Sequence, residues 1–161
     1  NGRRKDAHFA FLNQQLLSRG WEQKASFVIA DDTNLMENIF NLIKSDPNSV
    51  MFCFGGIGAT PDDYTREVAG KVFTNGKMEF HEEAKNRILN QFGNEAYPHR
   101  INMAYLPINA KLLKNVVNNV AGFYLEDRFF FTPGFPSMSQ AMVVEALDKL
   151  YPKSNIENTD V

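Results

Sequence analysis

The residues best suited to chemistry form a glycine run followed by paired acids, Gly55-Gly56-Ile57-Gly58-Ala59-Thr60-Pro61-Asp62-Asp63-Tyr64-Thr65, directly after the apolar stretch Val50-Met51-Phe52-Cys53-Phe54. Glycine tolerates positive φ and lets a ligand approach its N–H groups, so a glycine turn running from a strand into a helix is suited to cradling phosphate. Thr60 as N-cap, Pro61 at the first helical position and Asp63 two residues on would open that helix in a capping-box-like way. No Lys-Ser or Lys-Thr follows the glycines, and the third glycine of the dinucleotide fingerprint is absent, so neither nucleotide motif applies. Asp62 and Asp63 suit a positive helix end but repel phosphate, and a divalent cation such as Mg²⁺ would reconcile the two. The alternative is that both acids only stabilise the first turn.

Two further turns share this character. Thr132-Pro133-Gly134-Phe135-Pro136-Ser137 is again a strand end, a glycine turn and a helix start, and Asp31-Asp32-Thr33-Asn34 follows the apolar stretch Ser26 to Ala30. A helix cap there needs only Asp32 or Thr33, which leaves Asp31 for another task. His8, His81 and His99 are far apart without a cysteine or carboxylate at metal-ligand spacing, which argues against zinc and for surface or locally bonded histidines. Cys53, inside an apolar strand, reads as an inert core residue, and Phe129-Phe130-Phe131 as core rather than a base-stacking platform.

The elements that must position these turns alternate. Helical periodicity places helices over Asp6 to Arg19 (closed by Gly20), through Leu35, Ile39, Leu42 and Ile43, over Asp62 to Phe73, through Phe80, Ala84, Ile88 and Phe92, and from Pro136 to Leu150. Strands are expected at Ser26 to Ala30, Val50 to Phe54, Arg100 to Leu106, Gly122 to Leu125 and Phe129 to Thr132. This order predicts an α/β fold with a mostly parallel sheet covered by helices on both faces, whose ligand crevice lies beyond the carboxyl ends of the strands.

The chain of 161 residues is 43% hydrophobic, enough for one well-filled core, and its 17 Lys and Arg against 19 Asp and Glu give a net charge of −2. That balance disfavours nucleic acid as a partner. No apolar run approaches the roughly eighteen residues of a membrane span, and no signal segment opens the chain, so no membrane partner is expected. A single cysteine forms no internal disulfide, which predicts a reducing, cytoplasmic setting. One domain over 1–152 and a polar tail over 153–161 are expected.

Together, the pattern Gly-Gly-x-Gly-x-Thr-x-Asp-Asp-x-Thr-Arg-Glu, read from Gly55 to Glu67, and Pro133-Gly134-x-Pro136-Ser137-x-Ser139-x-x-Met142 resemble the molybdopterin-binding domain family of molybdenum-cofactor biosynthesis, and most closely its CinA-type branch. Asp6, Gly20, Val28-x-x-Asp31-Asp32 and Met103-Ala104-x-Leu106-Pro107 extend the match. The resemblance implies a three-layer α/β/α fold in which the two glycine turns hold the phosphate or pyrophosphate of molybdopterin, ATP or ADP-ribose. It implies Asp63 and Asp31 as catalytic and metal-holding acids, with Gly55, Gly56, Ile57, Gly58, Thr60, Thr65, Asn115, Pro133, Gly134, Pro136 and Ser137 around the ligand. The implied activity is Mg²⁺-dependent handling of a pterin or adenine nucleotide. The alternatives are an ADP-ribose pyrophosphatase and a non-catalytic binding or assembly protein. The last draws on Asn115 to Gly122, where the branch's Asn-Pro-x-Gly-x-Ala-Pro-Gly has lost both prolines and its inner glycine. Dimers or trimers are expected from the same resemblance. It also places Asn1-Gly2 just after the family's first central strand, so a sheet one strand short, with an unpaired groove in its middle, is expected.

Overall fold

The computed structural model describes residues 2–152, and the expected tail over 153–161 lies outside them. Five helices, α1 (Gly2–Leu17), α2 (Thr33–Lys44), α3 (Thr65–Phe73), α4 (Glu82–Phe92) and α5 (Pro136–Leu150), surround a sheet of β1 (Met51–Phe54), β4 (Lys111–Leu113), β5 (Gly122–Leu125) and β6 (Phe129–Thr132). A separate antiparallel pair joins β2 (Met78–Phe80) to β3 (Tyr105–Pro107). The main sheet runs in the order β1-β6-β5-β4. Its β1·β6 pair is parallel, whereas the short β5–β6 and β4–β5 connections impose antiparallel pairing on the rest, so the sheet is mixed.

Strand alternation builds the three layers. Phe129, Phe131, Phe123, Met51 and Cys53 face one way, into a core shared with Phe40 of α2 and Val68, Ala69 and Val72 of α3. Phe52, Phe130, Tyr124 and Leu113 face the other way, under Met142 and Ala146 of α5, and α1 completes that layer by packing Leu12 and Leu16 against Val143 and Leu147. Cross-strand ring stacking runs through both faces, Phe52 on Phe130 at 4.8 Å and Phe123 on Phe131 at 4.7 Å between centroids. Pairs of this kind contribute about 0.5–1.5 kcal/mol beyond the area they bury.

Gly20 ends the first helix as expected. At φ +76° it lets Trp21 N–H reach the Leu16 carbonyl (2.9 Å) and its own N–H reach that of Leu17 (3.1 Å), closing the last turn. The buried Arg19 then ion-pairs with Asp148 of α5.

Four expectations are corrected. Ser26 to Ala30 is not a strand: among the described residues it pairs with no neighbouring strand, and Phe27 and Val28 are exposed. Apolar, β-branched composition suits a strand, but a strand needs a bonded edge beside it. Arg100–Ala104 is a 3₁₀ turn, because Ile101 and Ala104, three residues apart, are the two that turn inward; only Tyr105–Pro107 is strand. Phe80 belongs to β2 rather than to the helix after it, which His81 caps by accepting the Ala84 N–H. The helix expected from Asp62 begins at Thr65.

The outer edge of β1 is unpaired among the described residues. Met51 and Gly55 direct their N–H groups to β6, so the peptide groups of Phe52 and Phe54 face outward and carry no hydrogen bond. Among the described residues no helix is long and apolar enough to cross a membrane.

Candidate functional site: two glycine turns at adjacent strand ends

β1 and β6 are parallel neighbours, so the turns that follow them emerge side by side. Their contact is backbone on backbone: a Cβ on Gly134 would lie 3.6 Å from the Gly55 Cα, and one on Gly55 would lie 3.8 Å from the Gly134 Cα. Gly55 and Gly56 both take left-handed backbone, φ +99° and +74°. At Gly56 a Cβ would sit 2.0 Å from the Thr65 hydroxyl oxygen. Only glycine fits there, because the Thr65 N–H donates to the Gly56 carbonyl (3.0 Å) and holds the buried threonine against the turn.

Arg66 fixes the rest of the first turn. Its guanidinium, buried with the helix, donates to the carbonyls of Ile57 (2.5 Å) and Gly58 (2.8 Å). Burial pulls its pKa down, and Asp63 and Glu67 pull the other way. One guanidinium nitrogen, Nη1, makes both bonds and so ties the two successive carbonyls together. Buried Ile57 anchors the same loop in the core.

The acids sit at the rim. Asp63 is the acceptor, not the capped partner, in its bonds to Thr60: its Oδ2 receives the Thr60 N–H at 2.9 Å and the Thr60 hydroxyl at 2.8 Å. Thr60 therefore does not cap α3, whose first flanking residue, Tyr64, makes no side-chain cap. Asp32 caps α2 through Leu35 N–H (3.0 Å), and Asp31 has no hydrogen bond or ion pair among the described residues. Burial first, then the charges of Asp31, Asp62 and Asp32, raise the Tyr64 hydroxyl above its ordinary pKa. The charges of both acidic turns thus act on the same hydroxyl. Among the described residues no three metal-ligating side chains form a protein-only cage.

The second turn leads from Thr132, fully buried, through Pro133 and Gly134 to Pro136, the first residue of α5, with Ser137 exposed beside it. His8 secures it from α1: the ring Nε2 lies 3.0 Å from the Gly134 carbonyl oxygen, the ring stacks on Phe54 at 4.2 Å, and Nδ1 meets Ser139 Oγ at 3.4 Å. His8 is thus buried and tied to a residue 126 positions away, not a surface or locally bonded histidine. No local spacing reveals such a bond. Arg66 was visible in the motif, but only its burial discloses its work.

Asn115 spends its amide on its own loop. Nδ2 donates to Asn118 Oδ1 (2.8 Å) and the Val120 carbonyl (2.9 Å), while Oδ1 accepts from Val117 and Asn118 N–H. Gln91 holds the loop to α4 through Asn119 N–H (2.6 Å). Cys53, half-buried behind the turn, has its thiol pushed up to about 12 by desolvation.

A mixed α/β sheet with paired glycine turns at parallel strand ends defines a small-molecule-binding architecture. The family described as "Probable molybdopterin binding domain" matches residues 1–152, and the chain belongs to it. It is 32% identical over 150 residues to a CinA-like protein of Geotalea uraniireducens, covering 88% of this chain and 35% of that protein. It is 30% identical over 174 residues to a CinA-like protein of Leptospira biflexa, covering 96% and 41%. A solved structure of CinA from Thermoplasma acidophilum, titled as of unknown function, superposes with a TM-score of 0.76 at 25% identity, covering 88% of this chain and 85% of that one. The chain spans about a third to three-fifths of the first few curated relatives it matches.

Proposed function

We propose that this domain binds a phosphate-containing pterin or adenine nucleotide, with the phosphates over the adjoining Gly55–Gly58 and Pro133–Gly134 turns and a divalent cation at the acidic rim. The observation that carries the reading is the contact of Gly55 and Gly134, which brings the two glycine turns together backbone to backbone at neighbouring parallel strand ends. Backbone N–H groups of Gly56 to Ala59 and the start of α5 are the natural donors to phosphate oxygens there.

The donor set suits Mg²⁺, which keeps water and substrate oxygens and asks a protein for only one or two carboxylates. Asp63 has Oδ1 left over after its bonds to Thr60, and Asp31 is uncommitted; these two would hold the ion. When bound, Mg²⁺ would neutralise phosphate charge that the acids otherwise repel. In this reading Arg66 and Thr65 keep the turn open, Asp63 and Asp31 orient the phosphates, and His8 holds the opposite wall.

If the domain cleaves ADP-ribose, water displaces one phosphate of the diphosphate, giving AMP and ribose 5-phosphate. Incubation with ADP-ribose and Mg²⁺ followed by chromatography then yields AMP. A non-catalytic binding role is favoured by one specific observation: the Asn115 amide is fully engaged within its own loop rather than directed at a ligand. A thermal-shift panel with ATP, ADP-ribose and molybdopterin, each with and without Mg²⁺, tests binding. A rise in Tm that needs both ligand and metal is expected, and no shift with any combination overturns the reading.

A further inference from the structure

Away from the glycine turns, a cavity of about 360 Å³ opens at the outer edge of β4, between the first half of α4 and the last half of α5. Arg87, Lys111, Lys114 and Lys149 line it together with the carboxylates of Glu83 and Glu145. Four cations line it against two acids, and Lys111 is also paired with Asp127 at 3.8 Å, which leaves one positive charge in excess in a chain whose overall net charge is −2. The acids are already occupied. Glu83 pairs with Arg87 at 2.6 Å, and Glu145 Oε1 accepts the main-chain N–H of Lys114 at 3.0 Å. Lys114 and Lys149 form no ion pair among the described residues.

Tyr124 supplies the second, independent observation. Its side chain is part of the core beneath α5, and the residue is only 2% exposed, yet its hydroxyl has no hydrogen-bond partner among the described residues. That oxygen is not among the polar atoms sealed from solvent, so the phenol ends at the cavity that Tyr124 lines. A tyrosine whose ring is buried keeps its hydroxyl where a partner can reach it, and in this case that place is the cavity. Here the phenol body is packed and the O–H is left pointing at a cationic hollow.

We propose that this cavity is a second binding site, for a small phosphate-bearing dianion or diphosphate, with the Tyr124 hydroxyl and the Lys114 and Lys149 ammonium groups as its donors. The volume lies at the small end of ligand pockets, which fits an inorganic diphosphate or a compact phosphate ester rather than a large cofactor. Arg87 and Lys111 are already paired, so the two ammonium groups of Lys114 and Lys149 are the charges that meet a dianion, acting as point charges for its oxygens. The site is independent of the glycine turns.

The test is calorimetric titration of the full chain with inorganic diphosphate in the absence of divalent metal, alongside amide chemical-shift mapping. Saturable binding is expected, with the largest shifts at Lys111 to Lys114, Tyr124 and Lys149. Tyr124→Phe, which keeps the ring and the packing, is expected to weaken binding about tenfold, the cost of one hydrogen bond to a charged group. Lys114→Glu with Lys149→Glu, both exposed positions, is expected to abolish binding while circular dichroism stays unchanged. Absence of binding, shifts confined to Gly55 to Thr60 and Gly134, or affinities unaltered in both variants would each overturn the proposal.

Discussion

His8 Nε2 lies 3.0 Å from the carbonyl oxygen of Gly134, so the first helix holds the second glycine turn directly. His8→Phe keeps the ring stack on Phe54 and deletes the bond. About 1 kcal/mol of stability is expected to go with it, and ligand affinity to fall because the turn loses its restraint. Urea unfolding and calorimetry on one preparation read both effects; a stability loss with undiminished affinity would confine His8 to folding.

Gly56 and Gly76 share nearly the same backbone angle, φ +74° and +77°, yet differ in space: Thr65 fills the place of a Cβ at Gly56, and nothing lies within 4 Å at Gly76. Gly76→Ala is therefore expected to cost about 1 kcal/mol, the left-handed penalty alone. Gly56→Ala adds a steric clash and is expected to cost at least twice as much and to abolish ligand-induced stabilisation. Melting curves of the two variants, with and without ATP and Mg²⁺, make the comparison.

Asp63 has two separable jobs, accepting from Thr60 and offering charge to a cation. Asp63→Asn retains an acceptor for Thr60, so a stability change below about 1 kcal/mol is expected, together with loss of the metal-dependent part of ligand binding. The opposite result, a large fall in Tm with binding intact, would assign Asp63 to turn structure alone.

With its thiol raised from 9.0 to about 12, Cys53 holds about a thousandfold less thiolate at pH 8 than an unperturbed cysteine. Alkylation of the native protein at pH 8 is expected to be slow by that factor and to become fast in denaturant. The sign of the linked stability follows: the folded state keeps its proton where the unfolded state loses it, so the Cys53 contribution is complete below pH 9 and is lost as pH rises toward 12. A difference in the pH dependence of Tm between the wild type and Cys53→Ala over that window checks it.

The parts of this fold that sequence reveals are those whose cause is local. Phe129–Thr132, Gly122–Leu125 and Pro136–Leu150 lie where composition and periodicity place them, and Gly20 and Asp32 terminate and open helices as their chemistry dictates. Ser26 to Ala30 has equally good strand composition and fails, because pairing is a property of a neighbour and not of the segment. The three-residue strand Lys111–Leu113 carries too short a pattern to register, although it lines the cationic cavity. At the candidate site the glycines announce themselves, whereas the bonds of His8 and Arg66 depend on burial and on chain crossings. The Thr60 cap misleads for a related reason: Asp63 competes for that hydroxyl and wins it.

The free edge of β1 bears on how the protein behaves in the test tube. Met51-Phe52-Cys53-Phe54 contains no lysine, proline or bulge to discourage pairing, and the outward peptide groups of Phe52 and Phe54 offer two donors and two acceptors in register. Such an edge is a template for any extended apolar chain, including the exposed Phe27-Val28 stretch of another molecule. Recovery on refolding should therefore fall steeply with protein concentration, and a lysine placed at the rim of that edge should act as a gatekeeper that restores it.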